Sequence, residues 1–471
     1  MSKKRNKNKK KNHSRLYVME AVVVIGLALG AGIFTMVRAA GTLTDEQNAI
    51  KIDGKKYSVS DVNYFYNTYY DSFCKQNSEY LPYMFDQDES LKEQEYEDGV
   101  SWFDYFLDES IQSMINVVKV SDVAREDGFS LDEESRDQIQ EYLDGLSLAA
   151  ENMDIAADEY ASRIYGKDMT LKRYGELLEM SFLAKDYMIE QEKKFTCSDD
   201  EIEKYYEDNR QLYEYANYER LFFRAGSQDQ EPSDEERSQA ENLAQKALGE
   251  VQSGRKLEDV AKEYEDAVYY AADEAYYSDG YSYGQWLFLD ERKPGDSTVI
   301  DNGDGYYVMV FHDRSRHAYP SVNIRDICFE IDDSAENKDE EYEESCEKAE
   351  ELYQEWKNGG GTEKLFVDLA EENPSSQSPE GGLYEKVTRD SLDSSLAAWC
   401  FDQEHKAGDC EVVYADNGFH VLYFEGYDEP AWKIEVEDDI RETRLSDWLN
   451  ELNESAQVDR NEKALENTVG L

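Results

Sequence analysis

The sequence predicts an α+β protein in four parts: an N-terminal apolar segment, a mostly helical domain, two tandem copies of one small α+β unit, and a C-terminal helix that packs back on the helical domain. Three observations carry this. Helical spacing of apolar residues, with capping signals, runs almost unbroken from Val62 to Tyr213. An internal match, "QWLFLDERKPGDSTVIDNGDGYYVMVF" over "AWCFDQEHKAGDCEVVYADNGFHVLYF", holds a single offset over more than twenty residues. Finally, 471 residues exceed one core and suggest about three domains at roughly 150 residues each.

Residues 1–16 form a basic tail, "KKRNKNKKKNHSR", and residues 17–37, "YVMEAVVVIGLALGAGIFTMV", are apolar apart from Glu20. That length suits a hydrocarbon core of roughly 30 Å. Cations on its N-terminal side place the tail in the cytoplasm and the main body outside. The segment is either a permanent single-pass anchor or a cleaved signal, for which "VRAAG" offers small residues.

The whole chain carries 50 basic and 106 acidic residues. From Ala39 onward the balance is 41 against 105, or −64. Such a surface repels nucleic acid and anionic headgroups, which excludes both as partners of the main body. The acidity reads as a solvated surface rather than a calcium site: "DNGDG" at 301–305 fits a turn between strands and lacks the D-x-D-x-D-G loop.

In the helical domain, residues 48–215, "AIKIDGKKYSV" alternates around Asp53-Gly54 and predicts a hairpin. Ser60 is placed to cap the helix that follows, and Ser130 to Glu133 and Ser198 to Glu201 read as capping boxes. The two repeats span 216–314 and 320–428. "NYERLFF" corresponds to "NIRDICF", and an acidic linker and amphipathic helix follow each. The long match then sets Trp286 on Trp399, Phe288 on Phe401, and Gly295-Asp296 on Gly408-Asp409. Residues 430–471 contain the C-terminal amphipathic helix, whose apolar face has the helical domain to bury against. The six cysteines have no C-x-x-C and no histidines at metal spacing, so free thiols are preferred to bridges and no metal or other cofactor is expected.

The repeated unit resembles parvulin-type peptidyl-prolyl isomerase domains. The resemblance rests on the run of helix, "LA.E", glycine-bearing loop, "GD" and "G-aromatic-x-V" in each copy. The hairpin, the "SDDEIEKYYEDN" segment and the order of parts make the chain from about residue 48 onward similar to the SurA, PrsA and PpiD group of extracytoplasmic folding factors. It implies a small antiparallel sheet wrapped by helices in each repeat, and a helical cradle for unfolded chains. It also implies a histidine on the first strand, a Cys or Asp in the middle loop, an apolar pocket and a histidine on the last strand.

The first repeat has Arg220 and Tyr307 at the two histidine positions, which marks it as degenerate. The second keeps His420 on the last strand, with Asp326 on the first and Asn373 or Pro374 in the middle loop. Read this way, His420 and Asp326 are the candidate catalytic pair, Asp326 holding the imidazole tautomer. Phe401, Leu396 and Leu422 are the candidate substrate-binding residues. His420 as an ordinary framework residue is the competing assignment.

The resemblance implies a membrane-anchored foldase or chaperone whose partners are unfolded or nascent exported polypeptides, reached through aromatic contacts of a tyrosine-rich domain. A catalytically inert peptide-binding or scaffolding protein is the alternative. A surface hydrolase is disfavoured, because no Ser-His-Asp or H-E-x-x-H arrangement is visible. Oligomeric state is left open.

Overall fold

The computed structural model describes residues 48–468 except 79, 88, 228–229, 279, 332–336, 374–378 and 403. The expected membrane segment at 17–37 lies outside the described residues. Among the described ones, no helix is long and apolar enough to cross a membrane. The chain divides into two compact units: the first ends at Cys197 and resumes at Asp439, and the second is Ser198–Asp438.

In the first unit, strands Asn48–Ile52 and Lys55–Ser58 pair antiparallel. Asp53 and Gly54 both take positive φ, as a two-residue turn of this hand requires. A third strand, Val458–Arg460, pairs with the first, Ile52 opposite Val458. It is too short to show as alternation in the sequence.

Helix Val59–Gln76 is capped by Ser58, not Ser60. The reciprocal box needs an acceptor three residues before Asp61: the Ser58 hydroxyl takes the Asp61 N–H, and the Asp61 carboxylate takes the Ser58 N–H at 2.8 Å. Ser60 accepts instead from the Asp168 N–H at 3.2 Å, tying two segments of the unit together. Helix Glu133–Asn152 likewise starts from Asp132 rather than Ser130.

Helices Trp102–Glu126 and Leu171–Glu192 complete a core in which Tyr66, Phe106, Met114, Leu177 and Phe182 are fully buried. Phe106 is its centre, with Phe73, Tyr70 and Phe85 packed edge-on at ring distances of 5.1, 5.2 and 5.9 Å. Leu445 and Leu449 of helix Ala431–Glu454, with Leu465, join the same core. The tyrosines Tyr64, Tyr66 and Tyr69 are therefore interior. The aromatic surface of this unit lies elsewhere, at Tyr80, Tyr83 and Tyr96, with Met84 beside them.

The second unit opens with helix Asp199–Asn209, capped by the Ser198–Glu201 box. Eight strands follow: β1 (Glu214–Arg224), β2 (Val268–Tyr276), β3 (Ser297–Asp301), β4 (Gly305–Arg316), β5 (Pro320–Glu330), β6 (Leu383–Val387), β7 (Cys410–Ala415) and β8 (Gly418–Pro430). They form two antiparallel sheets in the orders β2-β1-β4-β3 and β6-β5-β8-β7, the same order twice.

Each sheet buries one face under a long helix, Asp234–Gln252 in the first and Lys338–Asn358 in the second. Its other face takes a short helix, Gly284–Leu287 or Ser394–Cys400. The correspondence reaches single hydrogen bonds. Gly295 N–H donates to Phe311 O at 2.8 Å and Gly408 N–H to Phe424 O at 2.9 Å; Phe311 and Phe424 each return one, to Asp296 O and Asp409 O at 2.9 Å. The Asp296 and Asp409 side chains accept from the Lys293 and Lys406 N–H groups. Both glycines sit at positive φ, +88° and +97°, which the turn demands.

The 301–305 segment is the β3–β4 turn, with the Asp301 carboxylate accepting from Gly303 N–H at 2.8 Å. All six cysteines are free thiols.

Candidate functional site

Strand alternation decides which side chains of the second sheet can meet. On β5, Val322, Ile324, Asp326 and Cys328 share the face opposite the long helix; on β8, His420, Leu422 and Phe424 share it. The register sets His420 opposite Cys328 and Leu422 opposite Asp326. Asp326 therefore reaches His420 diagonally, with Oδ2 2.8 Å from Nδ1.

The other ring nitrogen, Nε2, lies 3.0 Å from Asn417 Oδ1 and 3.5 Å from Cys328 Sγ. Asn417 is brought there by the tight β7–β8 turn, because Gly418 (φ +150°) passes so near β5 that a Cβ would sit 2.2 Å from Phe329 O. Burial opposes charge on His420, which is 4% exposed, but the Asp326 carboxylate and the Cys328 sulfur outweigh it and push the imidazole up to about 10. The ring is thus an imidazolium at neutral pH, fixed by three partners.

Around this centre the predicted apolar residues divide. Leu422, 1% exposed, and Leu396 belong to the packed cluster and form a floor. Phe401 stays partly exposed, edge-on to Tyr319 at 5.4 Å, with the Arg389 guanidinium over both rings. Cys400, in the same cluster, is pushed up to about 12 by burial and by the charge of Asp326. Asp326 Oδ1 is buried without a hydrogen-bond partner. Asn373 is occupied as the cap of helix Glu363–Glu372, donating to Leu369 O at 3.0 Å, and Pro374 lies outside the described residues.

The sequence reading missed Cys328 and Asn417. Cys328 had a signal, since it stands two residues beyond Asp326 on a strand and so shares its face. Asn417 had none, because its approach depends on the turn.

The equivalent positions of the first repeat hold different chemistry. Arg220, Phe222 and Tyr307 stand where Asp326, Cys328 and His420 stand in the second, and the Phe222 and Tyr307 rings are 4.7 Å apart. The Arg220 guanidinium lies over the rings of Tyr270, Tyr307 and Tyr283 at 4.8, 5.2 and 5.4 Å and donates to Tyr283 Oη at 2.7 Å. The protein's own cation fills this aromatic box.

Among the described residues, one group could offer ligand atoms to a metal: His317, Asp390 and Glu435. Its hydrogen bonds are already closed, with Glu435 Oε1 3.1 Å from His317 Nδ1, Tyr276 Oη 3.1 Å from Nε2, and Tyr276 donating to Asp390 at 2.6 Å.

Residues 327–426 match the family described as "Rotamase: PPIC-type PPIASE domain", and the chain carries a parvulin-type domain there. Among solved structures, the chain is similar to peptidylprolyl isomerase (PrsA) from Bacillus anthracis, at 18% identity and a TM-score of 0.18, over 30% of this chain and 59% of that one. The chain thus spans less than two thirds of that protein, and at this overlap the likeness adds no weight to the family match. No curated protein matches the chain.

Proposed function

We propose that the protein is a membrane-anchored extracytoplasmic folding factor whose second repeat, 320–428, catalyses peptidyl-prolyl cis-trans isomerisation. The family match over 327–426, with the His420–Asp326 pair inside it, carries this reading. The basic tail and apolar segment support the anchor, with the main body outside the cell membrane, and unfolded or nascent exported chains are its clients.

Rotation about an X-Pro bond must overcome a barrier of roughly 18–20 kcal/mol held up by amide resonance. Twisting the amide localises the lone pair on the prolyl nitrogen. A fixed N–H donor aimed at that lone pair binds the twisted amide better than the planar one, and so lowers the barrier without covalent chemistry. His420 Nε2–H is that donor in our reading. Asp326 stabilises its charge, and Phe401 and Tyr319 offer the apolar wall for the proline ring. The first repeat is a degenerate parvulin-like unit that keeps the sheet and has lost the site.

A second reading, an inert peptide-binding or scaffolding protein, is favoured by the first repeat, whose box is closed by Arg220. Proline-limited refolding of a client with the full chain and with His420→Ala separates the two. Acceleration by wild type alone, about tenfold above the variant, supports catalysis. No acceleration by either, with peptide binding retained, gives the inert module. Failure both to bind unfolded peptide and to suppress client aggregation removes the folding-factor role.

A further inference from the structure

We infer that Cys328 is a nucleophilic thiol, the position on this chain where a peroxide or an alkylating electrophile reacts first, and that its modification silences the His420 site. The silencing rests on the isomerase reading above; the reactivity does not.

The geometry is that of an activated nucleophile. A thiol, an imidazole and a carboxylate stand in line: Cys328 Sγ 3.5 Å from His420 Nε2, and Nδ1 2.8 Å from Asp326 Oδ2. The carboxylate fixes the ring so that Nε2 faces the sulfur, and the imidazolium, holding the thiol's proton at Nε2, pairs with the sulfur as thiolate. The surroundings then suit an anion. Among the described residues, the hydrogen-bonding partners of Sγ are His420 Nε2 and Asn417 Nδ2, the latter at 3.8 Å, and both present N–H. The high position of the His420 pKa, which Cys328 itself helps to raise, agrees with such a pair.

The other cysteines lack this arrangement. Burial pushes Cys74, Cys346, Cys400 and Cys410 up, away from thiolate. Cys197 has a cation, Arg444 at 3.8 Å. Cys328 itself is partly exposed, on the face of the sheet opposite the long helix.

With hydrogen peroxide, the sulfur attacks one peroxide oxygen. An S–O bond forms, the O–O bond breaks, and sulfur is oxidised by two electrons to sulfenic acid. The leaving hydroxide takes up the proton that His420 received from the thiol, giving water. With iodoacetamide, an S–C bond forms and iodide leaves. Either adduct is carried on Sγ, 3.5 Å from Nε2, and obstructs the donor that the proposed reaction uses.

The test is peptide-resolved mass spectrometry of the full chain under limiting iodoacetamide and, separately, hydrogen peroxide with a sulfenic-acid trap. Wild type, His420→Gln and Asp326→Asn are compared. Cys328 is expected to react at least about tenfold faster than partly exposed Cys346, to fall to its rate in His420→Gln, and to fall partway in Asp326→Asn. Cys400, fully buried, gauges the fold: if it becomes reactive in His420→Gln, the comparison rests on Asp326→Asn.

Equal rates at Cys328 and Cys346 in wild type, or a Cys328 rate untouched by either substitution while Cys400 stays protected, overturn the proposal. In the refolding assay, peroxide is expected to abolish acceleration by wild type in step with the oxidation of Cys328 read by mass spectrometry. Acceleration that survives full oxidation of Cys328 overturns the silencing. If untreated wild type gives no acceleration, the isomerase reading fails and the silencing falls with it, while the labelling order still decides the thiol.

Discussion

His420 shows how one side chain can report on a site through pH. Its pKa rises from 6.5 to about 10 on folding, so the charged form is favoured in the folded state. The stability it contributes is fully present below about pH 6.5 and is lost as pH rises through about 10. The urea midpoint of wild type is expected to fall between pH 7 and pH 10.5 by more than that of Asp326→Asn; parallel curves refute the pairing. The pair itself was legible, because histidines are few and strand periodicity sets Asp326 and His420 on sheet faces that a shared register can join. Its other neighbours were not. That His420 opposes Cys328, and that Gly418 lets Asn417 close over the ring, are matters of register and of backbone conformation, which no pattern along one strand states.

The glycines of the duplicated unit matter at the level of turns and strand ends. At Gly408, φ is +97° and a Cβ would meet only the Tyr423 hydroxyl at 3.8 Å, so Gly408→Ala costs about 1 kcal/mol in backbone strain alone. At Gly418 the added carbon would strike the Phe329 carbonyl, and β8 must move from β5; a loss of about 2–4 kcal/mol is expected. Urea unfolding that ranks Gly418→Ala as the milder substitution refutes this account. Ser198→Ala, removing a reciprocal cap, is expected to cost about 1 kcal/mol by the same measurement. Element identity was readable, since the longest match between the repeats, from Gln285 over Ala398, aligned without gaps and each copy forms its strands in the same order. Helix starts were readable to within two residues. Ser58 and Asp132 cap where Ser60 and Ser130 were expected, because the true cap is the residue whose side chain meets the N–H three positions on, and several polar residues competed for that place.

For the whole molecule, the two units predict two separable responses. Phe106→Ala empties the centre of the first core and is expected to cost about 3–5 kcal/mol there. Deleting residues 455–471 removes strand Val458–Arg460 and Leu465, and faster hydrogen exchange is expected across 48–58 while 320–330 stays protected. Equal loss of protection in both segments would show that the units unfold as one. The alternation about Asp53-Gly54 announced the hairpin, and the apolar face of the C-terminal helix announced that it needed a partner. The strand pairing that closes the unit lay beyond any local signal. That pairing sets a clock. The Asp53 carboxylate takes the Gln457 N–H across a separation of 404 residues. A ribosome adding roughly 5–20 residues per second leaves the edge of strand Asn48–Ile52 unpaired for about 20–80 s. The inserted unit has that interval to fold before the enclosing one can be sealed.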